Sequence, residues 1–357
     1  MKWRNAGVAA CVLTLGWGGV CAPVLAQDAP TVQAVAAQRS AAQWMQLWNK
    51  AATSISYGGH LLMAGGAREL RTARIWHAVQ GRQHIERLDM LYGPPRSRFR
   101  SNDTVVHYDH DRKHVRVRTR MPPFSSMVPG MAPLHAHEYA QMSRYYEAKY
   151  HGVERVANQM ADVVTLQPRD KLRYAYKIWS DRTTGLLLRW QMLGQLNRPE
   201  TLLREVAFSD VQIGVPMYQY AALETAMQAS KDYQVRVSEM RPTSLAQYGW
   251  KWRGALPGYF VTSCYDREGG AGPERGRDTQ FTGRVAQCTL GDGMASISVF
   301  FGTQSPPRPP SRGAHAPVRA GMHVRTQAYP GGHSVTALGE VPEAALQVVL
   351  DNLQRLP

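Results

Sequence analysis

The 357-residue chain exceeds one typical domain, so length alone points to two. Its 42 lysines and arginines against 27 aspartates and glutamates give a formal charge of +15, which favours phosphate-bearing surfaces or acidic partners. No H-E-x-x-H, G-x-S-x-G, phosphate loop or dinucleotide fingerprint is present, which disfavours the common hydrolases and cofactor enzymes.

The N-terminus "MKWRNAGVAACVLTLGWGGVCAPVLAQDAP" starts basic at Lys2 and Arg4, runs apolar from Val8 to Leu15 and then turns to small residues. Residues 1–26 therefore read as a secretory signal peptide, with Val24-Leu25-Ala26 directing cleavage between Ala26 and Gln27. Acylation at Cys21 is the rival reading, but Gly18-Gly19-Val20 is a poor signal for it. Export excludes nucleic acid as a natural partner, and no nucleic-acid motif is visible. Cleavage lowers the charge to +13 and leaves Cys264 and Cys288 as the mature cysteines. In an oxidising compartment the two are expected to pair, with buried free thiols as the alternative.

Residues 27–40 read as a flexible N-terminus. A helix is expected over "SAAQWMQLWNKAAT", where Trp44, Leu47, Trp48 and Ala51 form one apolar stripe. Strand-length runs follow from Gly59 to Tyr108, then "HVRVRTR", with Arg116, Arg118 and Arg120 on one face and Val115 and Val117 on the other. A solvated face explains these arginines by default, while contact with phosphates or carboxylates is the functional alternative. His107, Asp109, His110, Asp111 and His114 are the most tempting metal cluster. Alternation sets His107 and His110 on opposite faces, so a solvated hairpin tip is expected, with no metal or cofactor. His135 to Glu138, "HAHE", is weaker still.

"MPPFSSMVPGMAPL" is different. Met121, Phe124, Met127, Val128 and Met131 are strung among prolines that exclude a regular helix or central strand. An adaptable apolar loop of this kind suits a ligand lid or local cover for a sheet. A helix is expected over "HEYAQMSRYYEAKY". Next comes the hairpin "RYAYKIWSDRTTGLLLRWQM", with Tyr174, Tyr176 and Ile178 on one face of its first arm and Trp190 on its second. Part of its other face is also apolar, so protein or ligand is expected to cover it. Tyr174, Tyr176 and Trp190 join the loop residues as candidate lipid contacts. After the strand Leu202 to Val211 the rhythm lapses, and residues 216–245 read as a linker. Strands then resume up to "HSVTALGEV", interrupted by the proline-rich "TQSPPRPPSRGAHAPVRAG". A closing helix begins near Pro342, its stripe formed by Leu346, Val349, Leu350 and Leu353.

"VERVANQMADVVTLQPRDKLRYAYKIWSD", "GLLLRWQMLGQLNRPETLLREVAFSDVQIG", "YGWKWRGALPGYF", "GMASISVFFG" and "GGHSVTALGEVP" together resemble the RseB/MucB family of periplasmic regulators of the sigma-E envelope-stress pathway. The resemblance runs in order along the mature chain. It implies an α+β, mostly antiparallel β fold. A large domain at 41–215 would resemble the lipoprotein carriers LolA and LolB, an open half-barrel with helices in its concavity. A smaller mixed domain would occupy 246–357. It also implies a periplasmic, non-catalytic protein with no cofactor. Such a protein binds the periplasmic part of a membrane anti-sigma factor of the RseA/MucA kind and shields it from site-1 proteolysis. Lipoprotein acyl chains or lipopolysaccharide would release it, and a homo-oligomer is compatible. A periplasmic lipid or lipoprotein carrier is the alternative, and an envelope hydrolase is disfavoured.

Overall fold

In a computed structural model, the described residues are 32–65, 69–121, 136–194, 202–214, 218–228, 231–268, 284–302 and 321–356. Helices α1 (Val32–Ala37) and α2 (Ala41–Ser54) precede strands β1 (Tyr57–Gly65), β2 (Glu69–Gln80), β3 (Gln83–Met90), β4 (Arg96–Ser101), β5 (Thr104–Asp109) and β6 (His114–Thr119). Helix α3 (Ala136–Gln141) leads to β7 (Tyr146–Val156), β8 (Gln159–Pro168), β9 (Ala175–Asp181), β10 (Leu187–Leu193) and β11 (Leu202–Ile213). Helix α4 (Tyr218–Met227) and β12 (Gln234–Glu239) follow. The last part holds β13 (Arg241–Pro242), β14 (Trp250–Trp252), β15 (Phe260–Glu268), β16 (Arg284–Gly291), β17 (Ser296–Gly302), β18 (His323–Tyr329), β19 (His333–Gly339), α5 (Glu343–Asp351) and β20 (Leu353–Arg355).

The fold is α+β and mostly antiparallel β. One large open sheet has twelve strands in the order β12-β6-β5-β4-β3-β2-β1-β11-β10-β9-β8-β7, and a second has six, β13-β15-β16-β17-β19-β18. Short hairpins make most neighbours antiparallel; β12 instead runs parallel to β6, because the chain returns to that edge after crossing α4.

Helix α2 starts at a capping box, in which the Ser40 side chain accepts from the Gln43 backbone and Gln43 accepts from the Ser40 backbone. Its stripe, Trp44, Met45, Trp48 and Ala51, is buried, with Leu47 half-buried beside it. Trp44 and Trp48 pack in one cluster with Tyr57, Leu61, Ile75, Val164, Leu166, Tyr176, Ile178, Trp190 and Met192. The helix thus fills the hollow of the sheet between β8 and β2. The smaller unit closes a second core, where Leu346, Val349 and Leu350 of α5 meet Ile297, Val299, Val335 and Ala337.

Four expectations change. Within the stretch 27–40 expected to be flexible, Val32–Ala37 form α1, with Ala36 fully buried in the main core. The helix expected over 137–150 ends at Gln141, a 3-10 turn spans Met142–Arg144, and Tyr146 already opens β7. Glu147, Ala148 and Lys149 favour helix locally, but pairing with β8 from Tyr146↔Pro168 to Val156↔Gln159 prevails. The stretch 216–245 carries regular structure: Tyr220 and Leu223 of α4 pack on Ala78 and Ile85, and β12 extends the large sheet. Leu353 leaves the helix to pair with Trp252 in β20.

Candidate functional site

The β9–β10 hairpin is covered on both faces by the protein itself. On the concave face Tyr176 pairs across to Met192 and Ile178 to Trp190, all beneath α2. On the other face the Trp179 ring lies between the Arg189 guanidinium, 4.4 Å from its centroid, and the Lys177 ammonium at 4.8 Å. Its indole N–H donates to Glu154 at 2.7 Å. Tyr174, Tyr176 and Trp190 are 8%, 2% and 3% exposed, so an acyl chain reaches them only by displacing protein. Burial pushes the Tyr174 hydroxyl up to about 12 and Tyr176 well above its ordinary value. Of the apolar loop, Met121 is described, its N–H donating to Asp103 O at 2.7 Å. Phe124, Met127, Val128 and Met131 lie outside the described residues, as do Ala26 and Gln27.

Where the two units meet, a buried polar cluster forms that sequence reading did not find. Arg173, just before β9, has a fully buried side chain and pairs with Asp170 and with Asp292, the latter also fully buried. Its Nη2 donates to Pro257 O at 2.6 Å, and its guanidinium lies 4.6 Å from the ring centres of both Tyr145 and Tyr259. Asp292 accepts from Tyr146 Oη at 2.8 Å and from the backbone N–H groups of Met294 and Ala295. Tyr259 Oη donates to Leu172 O at 2.8 Å. Burial opposes the Arg173 charge, but Asp292, Tyr259, Tyr146 and Asp170 outweigh it and raise its pKa. Burial, then Asp292, holds the Tyr146 and Tyr259 hydroxyls well above their ordinary range.

The "PGYF" and "GDGMAS" stretches supply this junction. Gly258 has φ +64°, and a Cβ there would run into the Arg173 guanidinium and the Tyr145 ring. Arg204 adds an ion pair to Glu340 on the same border.

The third feature is the far end of the concave face. Register sets Arg98 opposite His107, His107 opposite Arg116, and Arg116 opposite Arg236. Arg118 follows Arg116 on the same face, beside Val105 and Arg100. Arg120 does not join them: β6 ends at Thr119, Arg120 turns into left-handed backbone at φ +56°, and it pairs with Glu239 at 2.7 Å. His110 faces away from His107 and meets Ser97 Oγ at 2.9 Å and Tyr233 Oη at 2.8 Å. Among the described residues no three His, Cys, Asp or Glu side chains converge to hold a metal. Cys264 and Cys288 sit directly opposite on β15 and β16 and are joined in a disulfide.

The comparisons agree with this architecture. The MucB/RseB N-terminal domain model matches residues 40–232 and the MucB/RseB C-terminal domain model matches 244–354. The "Sigma factor AlgU regulatory protein MucB" of Pseudomonas aeruginosa is 30% identical over 217 residues, 59% of this chain and 61% of that protein. The match thus spans less than two thirds of that relative's length. The P. aeruginosa MucA/MucB complex matches with a TM-score of 0.58 at 22% identity, covering 89% of this chain and 99% of that one. MucB alone gives 0.57 at 22% identity, over 88% and 98% respectively, and both establish likeness of fold. The chain belongs to the MucB/RseB family.

Proposed function

We propose that this protein is a periplasmic negative regulator of a sigma-E-type envelope-stress response. It binds the periplasmic region of a membrane anti-sigma factor and has no catalytic role. The observation that carries this reading is the family match along both units, 40–232 and 244–354, which a simple carrier half-barrel does not need. Solved structures of the relative MucB with the periplasmic part of MucA support the class of partner. Among the described residues no helix is long and apolar enough to cross a membrane.

In the finer reading, binding shields the anti-sigma factor from site-1 proteolysis, and an acyl chain from a lipoprotein or lipopolysaccharide releases it. The Met121 to Met131 stretch is the proposed first lipid contact, because prolines keep it irregular and methionines keep it adaptable. Burying CH₂ groups at about 0.8 kcal/mol each offsets a modest docking energy. The test is a reconstituted cleavage assay with membrane-embedded anti-sigma factor and its site-1 protease. Adding the mature protein should slow the first cut, and lipid should restore it. Unchanged cutting at saturating protein removes the regulator reading in favour of the carrier.

A further inference from the structure

We infer that the outer edge of β12 is a strand-addition site for an extended polypeptide segment alternating β-branched and acidic residues. β12 closes the order of the twelve-stranded sheet, so its outer side has no strand partner among the described residues. Its bonds to β6 fix which groups point outward. Gln234 N–H donates to Lys113 O and Met240 N–H to Thr119 O, so the even-numbered backbone groups face β6. Alternation then turns the N–H and C=O of Val235, Val237 and Glu239 outward, an unsatisfied template for another strand. The side chains there are open too. Val235 and Val237 share one face and are 48% and 64% exposed, while Arg236 is exposed on the other.

Natural sheets guard such edges with bulges, lysines or prolines. The opposite edge, β7, follows that rule. Its register breaks between Tyr150 and Val153, Gly152 there has φ +96°, and Glu147, Lys149, Glu154 and Arg155 are exposed along it. β12 has no lysine or proline, and its register with β6 runs unbroken from Gln234↔His114 to Glu239↔Thr119. Two exposed valines on an unguarded edge favour pairing with another chain.

The edge also leads into the smaller unit. Only Met240 separates β12 from β13, and β13 closes the order of the six-stranded sheet. Residues 234–242 thus supply the terminal strand of both sheets, a run of about 30 Å at about 3.3 Å per residue. A segment laid along β12 is therefore carried toward the smaller unit. Main-chain bonds give such a segment its affinity, and alternate side chains give the choice. Opposite Val235 and Val237 it presents β-branched residues, and opposite Arg236 a carboxylate, both favourable cross-strand pairs. That the natural segment belongs to the anti-sigma factor rests on the proposed function; the open edge does not.

The test uses the full mature protein and the acetylated, amidated peptide TKVEVKT, with its fully N-methylated form as control. The peptide should bind and slow hydrogen exchange at the Val235 and Val237 amides at least tenfold. The control keeps the side chains but donates no main-chain bond, and should not bind. Val237→Pro removes one outward N–H at an edge position that tolerates proline, and should weaken the peptide at least tenfold. Val235→Lys with Val237→Lys, at exposed positions where folding is not at stake, should weaken it by a similar factor. Unchanged affinity in both folded variants overturns the inference, and so does equal binding of the control or no binding of the peptide. Protection of Val235 and Val237 by dimerisation, with the peptide excluded, also overturns it, because a second copy is then the occupant. Capture of the anti-sigma factor with both valine amides still exchanging freely sinks this edge alone. Peptide binding at the edge without such capture sinks only the regulator reading.

Discussion

Arg173 and Asp292 face each other with Nε and Oδ2 3.2 Å apart and neither side chain reaching solvent, one on the strand-rich unit and the other on a turn of the smaller unit. A buried pair of this kind is weak evidence for net stability, because desolvation offsets much of the attraction. Removing one partner is another matter, since it strands the other charge. Asp292→Ala should cost about 3–5 kcal/mol, read as a lowered urea midpoint. Replacing both residues with apolar side chains should cost less than either single change. If the single variants were near neutral, the two units would hold together without this cluster.

Gly258 tests the same junction without touching charge. Its φ of +64° and the closeness of Arg173 and Tyr145 leave no room for a Cβ. Gly258→Ala should lower stability by about 1–2 kcal/mol from backbone conformation alone, with steric overlap adding to it. An unchanged melting temperature would mean that the loop re-forms around a methyl group at no cost.

The contrast between this junction and the arginine row shows what sequence makes legible. Period-2 alternation in "HVRVRT" assigns Arg116 and Arg118 to one face and Val115 to the other, and the sheet keeps that assignment. It fails at Arg120 because a strand's end is decided by its partner's length. Arg173 reads as one more strand residue: its partner Asp170 is local, but Pro257 and Asp292, which bury it at the junction, come from far along the chain and leave no local signature. The "PGYF" motif was visible, but its reason, a glycine pressed against an arginine from another unit, is tertiary. "QVRVSE" of β12 repeats the rhythm of β6 and was readable as a strand; the irregular residues around it masked the signal.

The disulfide should be measurable as stability. Cys264 and Cys288 are 24 residues apart, and closing a loop of that size stabilises by roughly 3 kcal/mol in the chain-entropy model. Thiol labelling of unfolded, unreduced protein should find no free cysteine, and reduction should lower the melting temperature. Two labelled thiols would refute the bridge.

Trp48 separates the apolar and polar parts of the helix-in-hollow packing. Its side chain is fully buried and stacks on Trp44 at 5.8 Å, yet its indole N–H has no hydrogen-bond partner among the described residues. Trp48→Ala should cost about 3–5 kcal/mol through the cavity it leaves. Trp48→Phe should cost distinctly less, because it removes a buried donor worth about 1–3 kcal/mol of penalty together with part of the ring. Equal losses in urea denaturation would mean that a water satisfies the indole.

The last expectation concerns acid. His77 is fully buried, its Nδ1–H donating to Ile55 O at 2.8 Å, and burial lowers its pKa to about 4 despite that bond. Above pH 6.5 the imidazole is neutral in both folded and unfolded chains, so His77 makes stability no function of pH. Below 6.5 the unfolded chain takes a proton that the folded chain refuses, and stability falls at up to about 1.4 kcal/mol per pH unit. The fall from this group ends near pH 4, where the folded imidazole protonates as well. His107, lowered to about 3 by burial and its arginine neighbours, adds the same sign over a window that reaches further down. Urea denaturation from pH 7 to pH 4 should therefore show wild type losing more stability than His77→Gln, by an amount that grows as pH drops. Parallel curves for the two proteins would mean that His77 accepts its proton in the folded state, and that the hollow beneath α2 opens to water in acid.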